Sequence, residues 1–335
     1  MAALTVLTAL IIATVFPAKH DSYTQTTWTD PSFTGQTTDD VTQHVDYTSS
    51  PQTSTEELKQ TAIVFGGDGE EPGQLFGPGG VVVSPSNEIF VADTYNMRVQ
   101  VFSMAGVYLR HFPTITSKNE FETMEPKDIS IDGEGHLWLN GDYNSSSSGL
   151  VVRLTKTGQH LTTVYPVLQN NSFLGIAVDA LREHVVVTEL WYDYTAVKVL
   201  HFNGTAVRWF RVQQGSGYPE LVAVGREGNL FVSDFWRGTP VFVYNSTGHY
   251  LFSFTDEEFG EWQTIEITGI CVDSSGHVLL STGPGGTVEM FTADGRYVRR
   301  AAAGMFRADG VAVGPAGQLV VTDDDNSTVT VFSHY

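Results

Sequence analysis

Beyond residue 60, short apolar runs alternate with polar turns, and this arrangement occurs six times along the chain. Five of the six repeats open with a small or polar residue followed by an apolar run, and the fourth opens with Leu. The openings begin at Gly80, Asp128, Gly175, Leu221, Gly269 and Gly310. Their successive spacings are 48, 47, 46, 48 and 41 residues. A period of about 40–50 residues is typical of a repeat architecture.

Each repeat carries up to four such runs, separated by turns that contain Gly, Asn or Ser. In the first repeat they cover residues 80–83, 89–91, 99–102 and 108–112. Runs rich in β-branched and aromatic residues between such turns predict a four-stranded antiparallel meander. One such sheet is apolar on both faces and must be covered on both sides. Radial stacking of six sheets meets this need, so we predict an all-β, six-bladed β-propeller with four-stranded antiparallel blades.

The sixth repeat ends at Tyr335 after only three runs. Residues 60–65, just before the first repeat, form an additional apolar run. We expect this run to supply the missing outer strand and to close the ring by pairing the two ends of the domain. A linear solenoid is the alternative, but it would leave both runs unpaired.

The first repeat contains a distinctive motif. It reads Phe-Gly-Pro-Gly-Gly-Val over 76–81 and Ile-Phe-Val-Ala-Asp-Thr-Tyr-Asn-Met-Arg-Val-Gln-Val-Phe over 89–102. This sequence resembles an NHL repeat, the unit of six-bladed propellers in tripartite-motif proteins and peptidyl-hydroxyglycine lyases. The other five repeats keep the spacing but lose the Asn and Arg. The resemblance covers about residues 61–335 and implies the fold far more than the function.

An acidic residue closes the second strand in four of the repeats: Asp93, Glu189, Asp234 and Asp323. We interpret these acids as structural, because a short carboxylate there can accept backbone N–H bonds from the following loop. The functional alternative is calcium binding or acid catalysis, suggested by the run Asp323-Asp324-Asp325.

The sequence contains no phosphate-binding loop, no metalloprotease motif and no serine-hydrolase elbow. The lyase resemblance implies a zinc ion held by histidines from several blades. Three histidines share the turn before the second strand, on the face away from the channel mouth: His136, His184 and His277. The segments opening the innermost strands contain Gly79, Lys127, Leu174, Glu220, Thr268 and Asp309, and none is His. We therefore predict no catalytic residue, metal ligand or cofactor, and we expect Cys271 to be a buried, inert thiol.

Loops joining second to third strands, and fourth strands to the next blade, must emerge on one face of a propeller. The aromatic residues predicted in these loops are Tyr95, Tyr143, Trp191, Tyr192, Tyr194, Phe235, Trp236 and Trp262. Aromatic side chains that the core does not need favour an interaction surface. The alternative is that some of these rings fold back and plug the channel.

Charge limits the choice of partner. The chain has 18 Lys and Arg against 38 Asp and Glu, giving a formal charge of −20. This acidity argues against nucleic acid, whose phosphates require basic patches, and favours a protein or glycan ligand of cationic character.

A single cysteine excludes an intrachain disulfide and cysteine-based zinc modules.

The N-terminal region differs from the repeats in composition. Residues 2–16 are uncharged and largely apolar, too short to span a bilayer comfortably, so we predict a signal peptide or signal-anchor over 1–18. Residues 21–55 contain 16 Ser or Thr, five Asp and no Lys or Arg. Such a segment cannot bury enough apolar surface to fold. We therefore predict a disordered spacer over 19–57 and a propeller over 58–335.

Five Asn-x-Ser/Thr motifs support a secretory route. They lie at Asn144, Asn170, Asn203, Asn245 and Asn326. The expected function is a non-enzymatic binding module, secreted or held at a membrane only through its N-terminal segment. One alternative is a cytoplasmic substrate-recognition propeller, as in tripartite-motif ubiquitin ligases, with the ligase domain on another chain. The other is a metal-dependent propeller enzyme of the lyase or lactonase kind.

Overall fold

The computed structural model describes residues 62–117, 122–143, 149–164, 172–191, 194–212, 219–234, 241–254, 266–283 and 285–335. Within these ranges the chain forms strands and turns, arranged in six four-stranded antiparallel sheets. The predicted six-bladed propeller is therefore confirmed. The predicted leader and the predicted spacer lie outside the described residues. Among those described, no helix has the length and apolarity needed to cross a bilayer.

The first three blades follow one another along the chain, each running from its inner to its outer strand. Blade 1 contains β2 (Pro78–Val83), β3 (Glu88–Asp93), β4 (Arg98–Ser103) and β5 (Tyr108–Pro113). Blade 2 contains β6 (Met124–Ile131), β7 (Leu137–Tyr143), β8 (Gly149–Leu154) and β9 (His160–Val164). Blade 3 contains β10 (Ser172–Asp179), β11 (His184–Trp191), β12 (Tyr194–His201) and β13 (Ala206–Arg211).

Blades 4 and 5 repeat this order, and blade 6 takes its outer strand from the start of the domain. Blade 4 contains β14 (Pro219–Val224), β15 (Leu230–Asp234), β16 (Val241–Tyr244) and β17 (Tyr250–Phe254). Blade 5 contains β18 (Ile267–Val272), β19 (Val278–Thr282), β20 (Thr287–Phe291) and β21 (Tyr297–Ala302). Blade 6 contains β22 (Ala308–Val313), β23 (Leu319–Asp323), β24 (Thr328–Phe332) and β1 (Ala62–Gly66).

Strand β1 closes the ring. It pairs antiparallel with β24, in a register that places Ala62 opposite Phe332 and Gly66 opposite Thr328. The inner strands also contact one another in a complete cycle, from β2 through β6, β10, β14 and β18 to β22 and back to β2. The predicted closure is confirmed, and the linear solenoid is excluded.

The apolar core is divided among the interfaces between blades. Six clusters of buried side chains are present, and each joins two consecutive blades. Between blades 2 and 3, for example, Trp138 and Val151 pack against Ile176 and Val187. Each sheet is therefore covered on both faces, and burial of its apolar surface requires a neighbour on either side.

The inner strands approach one another so closely that some positions accommodate only glycine. A Cβ atom on Gly310 would lie 2.6 Å from the carbonyl oxygen of Gly79 and 3.0 Å from the backbone nitrogen of Val81. These are backbone atoms of blade 1, which cannot rotate away. At the same junction the hydroxyl of Thr322 donates to the Gly79 carbonyl at 2.7 Å.

Replacing Gly310 with Ala tests this packing. The backbone of Gly310 is not in the left-handed region, so the cost of G310A is steric, and we expect a loss of about 1–3 kcal/mol in the free energy of unfolding. Urea denaturation followed by tryptophan fluorescence measures it. The matched control is G133A, since a Cβ there meets no atom within 4 Å. Equal midpoints for the two variants would contradict the proposed junction.

Candidate functional site

A channel runs along the axis of the propeller. It forms a cavity of about 550 Å³ lined by residues of all six blades. Its walls are mainly the small and aliphatic side chains of the inner strands, such as Val82, Ile129, Ala177 and Ala223. A volume of this size is within the range of ligand-binding pockets.

Polar residues lie where the inner strands begin, at one end of the channel. Of the strand-opening residues singled out in the sequence, five line the cavity: Gly79, Lys127, Leu174, Thr268 and Asp309. The side chain of the sixth, Glu220, lies outside the described residues. Asp128, Arg307 and Asp324 join them, so the described residues at this end contribute three carboxyl groups and two cations.

Asp128 occupies a repeat position that is Gly in four of the other blades. Its Oδ1 accepts a hydrogen bond from the Ile129 amide at 2.8 Å, and its Oδ2 accepts one from the Ile176 amide at 3.1 Å. The carboxylate thus links blade 2 to blade 3. Burial raises the pKa of Asp128 to about 6, although the two amide donors oppose this effect.

Asp309 is the second residue of β22, and its carboxyl group accepts no hydrogen bond from a described residue. Burial is the main cause that raises the pKa of Asp309 to about 7, followed by the nearby charge of Asp324. Arg307 acts in the opposite direction and favours the ionised form. Burial and the neighbouring Asp325 also raise the pKa of Asp324. A carboxyl group that titrates near neutral pH inside a cavity is characteristic of functional sites.

The two cations at this end are each paired with a carboxylate next to the channel. Arg307 Nη2 lies 2.9 Å from Glu266 Oε1, and Lys127 Nζ lies 2.6 Å from Asp142 Oδ2. Neither pair involves Asp309 or Asp324. Among the described residues of the channel mouth, carboxyl groups therefore outnumber cations.

The loop before β2 is fixed by the first-repeat motif. Asp93 is fully buried, and its Oδ1 accepts a hydrogen bond from the Phe76 amide at 2.7 Å. Asn96 Nδ2, Arg98 Nε and Gln100 Nε2 also donate to the Asp93 carboxylate, at 3.0, 2.6 and 3.0 Å. The polar residues of the motif thus converge on one carboxylate.

Arg98 extends this network to the loop itself. Its guanidinium donates to the carbonyl oxygens of Glu70, Glu71 and Gln74 at 2.7, 3.2 and 2.9 Å. Charged hydrogen bonds of this kind are among the stronger ones in proteins. The motif therefore holds the loop that carries Phe76 at the rim of the channel.

In blade 6, the acid that closes the second strand also accepts hydrogen bonds from the loop before the inner strand, with fewer side chains involved. Asp323 accepts hydrogen bonds from the amides of Phe306 and Arg307 at 2.7 and 3.1 Å, and from the amide and Nδ2 of Asn326 at 3.2 and 2.9 Å. Asp323 uses both carboxylate oxygens in these contacts. In blade 3, the equivalent Glu189 is buried and pairs with Lys198 at 2.5 Å. The side chain of Asp234 lies outside the described residues.

Within the described part of the chain, three aromatic side chains remain exposed around the mouth, in blades 1 and 6. Phe76 is 47% exposed, Tyr95 58% and Phe306 70%. The rings of Phe76 and Tyr95 lie 5.1 Å apart. A Cβ on Gly77 would lie 2.5 Å from Tyr95 ring atoms and 3.4 Å from Asp324 Oδ1, so ring and carboxylate approach each other across this glycine. We call Phe76, Tyr95 and Phe306 the rim aromatics.

The predicted aromatic face is described only in part. Tyr143 is half-buried against the core between blades 1 and 2, and Tyr194 is half-buried with the Arg211 guanidinium 4.4 Å from its ring centroid. The backbone of Trp191 pairs with Tyr194. The Trp191 side chain is outside the described residues, as are Tyr192, Phe235, Trp236 and Trp262.

The opposite face holds the histidine-containing turns. Asp132, Glu134 and His136 form a group with metal-ligand chemistry, the one such group within the described ranges. Arg153 occupies it, because its Nη2 lies 2.6 Å from Asp132 Oδ2 and 3.0 Å from His136 Nδ1. The Arg153 guanidinium thus supplies positive charge to the Asp132 carboxylate.

The other two turn histidines have different surroundings. The ring of His184 lies 5.1 Å from that of His201, and burial together with this neighbour lowers the pKa of His184. His277 pairs with Asp273 at 2.9 Å.

Cys271 lies in inner strand β18, where it lines the channel and is half-buried. Burial, together with the charge of Asp273, raises the pKa of this thiol far above its ordinary value. A thiol held in its protonated form is a weak nucleophile.

Sequence reasoning missed the rim aromatics Phe76 and Phe306 and the channel carboxylate Asp128. One signal was available for the first two: each stands 17 residues before the acid that closes the second strand, Asp93 or Asp323. For Asp128, the available signal was a carboxylate at a repeat position that is glycine in four other blades.

Comparison with known proteins agrees with this architecture. Residues 77–102 match the family model of the NHL repeat, which confirms the resemblance for blade 1. No curated protein matches the sequence.

Several solved structures share the fold at low sequence identity. Virginiamycin B lyase from Staphylococcus aureus aligns at a TM-score of 0.56 and 14% identity, over 78% of this chain and 82% of that one. The gluconolactonase XC5397 from Xanthomonas campestris aligns at 0.58 and 17%, over 77% and 86%. U3-55K aligns at 0.56 and 15%, over 81% and 98%. At these identities the likeness extends to the fold alone.

The raised pKa of Asp309 predicts a pH-dependent effect of D309N on stability. The folded-state pKa of about 7 exceeds the ordinary value of 3.8, so the wild type loses stability as pH rises from 4 to 7, whereas Asn does not titrate. One unit of pKa corresponds to about 1.4 kcal/mol, and the partial solvent exposure of Asp309 reduces this energy. We therefore expect the advantage of D309N to grow by about 1–3 kcal/mol between pH 4 and pH 8.

Thermal and urea unfolding at several pH values measure this difference. The matched control is E227Q, which removes a carboxylate from an exposed turn on the opposite face. A constant difference between D309N and wild type over this pH range would show that Asp309 is not held in a desolvated site.

Proposed function

We propose that this protein is a binding propeller that presents the channel-mouth face to a protein or glycan partner of cationic character. The observation that carries the proposal is the exposure of the rim aromatics beside Asp309 and Asp324, whose carboxyl groups form no ion pair with a described residue. Large apolar side chains left in water at the rim of a cavity favour an interaction site. Acidic groups around them favour encounter with a positive partner.

The strand-opening residues support binding rather than catalysis. At the positions where a propeller lyase would carry histidines, this chain has Gly79, Lys127, Leu174, Glu220, Thr268 and Asp309. Its structural neighbours include a lyase and a gluconolactonase as well as U3-55K. Since one fold hosts many functions, the site decides between them.

We also propose that the propeller is extracellular and carries glycans on the face opposite the channel mouth. Asn203 and Asn245 lie in turns between third and fourth strands. In each, the Oδ1 atom accepts a 2.7 Å hydrogen bond from the threonine of its own motif, Thr205 or Thr247. Asn326 instead uses Nδ2, the atom that a glycan would modify, to donate to Asp323. Asn144 and Asn170 lie outside the described residues.

The triple variant F76A/Y95A/F306A tests the binding face. All three rings are substantially exposed, so we expect the fold to survive and partner binding to fall at least tenfold, about 1.4 kcal/mol. The measurement is binding to a displayed library of extracellular protein domains and to a glycan array. The control W209A removes a ring that is 60% exposed on outer strand β13. Unchanged binding by the triple variant would contradict the proposed face.

Glycosidase digestion of the full chain secreted from animal cells tests the compartment. We expect a decrease in apparent mass for the wild type and a smaller decrease for N203Q/N245Q. The control N229Q changes an asparagine outside any acceptor motif. Retention of the unmodified chain in the cytoplasm would favour a cytoplasmic substrate-recognition propeller.

A further inference from the structure

The channel mouth between blades 6 and 1 places two carboxyl groups next to aromatic rings. Asp309 belongs to β22, and Asp324 follows β23 directly. The Asp324 amide donates to the Arg307 carbonyl at 3.2 Å, which fixes this loop beside the start of β22. Tyr95 approaches Asp324 across Gly77, and Phe306 immediately precedes Arg307.

Among the described residues, no ion pair is formed by Asp309 or Asp324. The nearest cation, Arg307, makes its ion pair with Glu266 on blade 5. Lys127 makes its pair with Asp142 on blade 2. Enclosed carboxylates without a paired cation cost stability, and groups that reduce stability in this way often serve binding.

The shape of the cavity discriminates between possible cations. A volume of about 550 Å³, with many aliphatic residues in its walls, is far larger than a metal ion and its ligands require. A long side chain with an apolar stem and a charged end matches both features, since lysine and arginine bury their methylene groups while the head group binds polar partners. The rim aromatics add a surface on which such a cation can stack.

We infer that the channel mouth binds a lysine or arginine side chain from an extended segment of a partner protein, with Asp309 and Asp324 receiving its charge. The flanking residues of that segment lie on the rim aromatics. This inference rests on the proposed binding function and narrows it to a protein ligand with a basic anchor residue. A neutral glycan partner would carry no cation to pair with these two carboxylates.

The test uses the full chain and peptide libraries with one fixed central residue between randomised positions. The fixed residue is arginine, lysine, citrulline or acetyl-lysine, so that each cation has a neutral counterpart of similar shape. We expect arginine or lysine libraries to bind at least tenfold more tightly than their neutral counterparts. D309N/D324N is expected to remove this preference, whereas E227Q keeps it.

Several results would overturn the inference. Equal binding of the arginine and citrulline libraries would exclude a site that recognises the positive charge. An unchanged preference of D309N/D324N for the cationic libraries would exclude it as well. Binding that requires added calcium and is lost in EDTA would indicate a metal site instead.

The rim variant separates this inference from the proposed function. If F76A/Y95A/F306A loses partner binding while D309N/D324N keeps it, the face binds a partner but the basic anchor is wrong. If neither variant affects binding, the proposed face fails as well. Circular dichroism of every variant confirms that the propeller is intact.

Discussion

The structure depends on one constraint: each blade is apolar on both faces and is stable only between two neighbours. Six clusters of buried, described side chains, one at each junction, meet this constraint, and the pairing of β1 with β24 completes the blade that packs against blade 1. Closure also fixes the channel, because six inner strands that converge on one axis must leave a space between them. The site is therefore a direct consequence of how the core is buried.

Convergence on the axis restricts which residues can stand there. Gly80 and Gly310 have backbone atoms of the next blade where a Cβ would be, and most of the other positions on the inner strands that line the channel are small or aliphatic. Asp128 and Asp309 depart from this pattern. Asp128 compensates for its burial with two amide donors from blades 2 and 3. Asp309 lacks that compensation among the described residues, and its position at the mouth makes it the group whose charge is available to a ligand.

The motif of the first repeat shows which features can be predicted from the sequence and which cannot. Its spacing and its Asp, Asn, Arg and Gln residues suffice to recognise an NHL repeat, and the family match over 77–102 agrees. The pattern alone does not reveal that Asn96, Arg98 and Gln100 all donate to Asp93, or that Arg98 holds three carbonyls of the preceding loop. These contacts join residues up to 28 positions apart, a separation that local periodicity does not encode.

The sequence by itself determined the number of blades, the order of their strands and the closing role of the run before the first repeat. These features follow from hydrophobic periodicity and turn composition, which act over a few residues and recur in every unit. Only the tertiary structure decided the make-up of the channel mouth. Phe76, Tyr95 and Asp324 are up to 248 residues apart, and they meet because ring closure brings the first and last blades side by side.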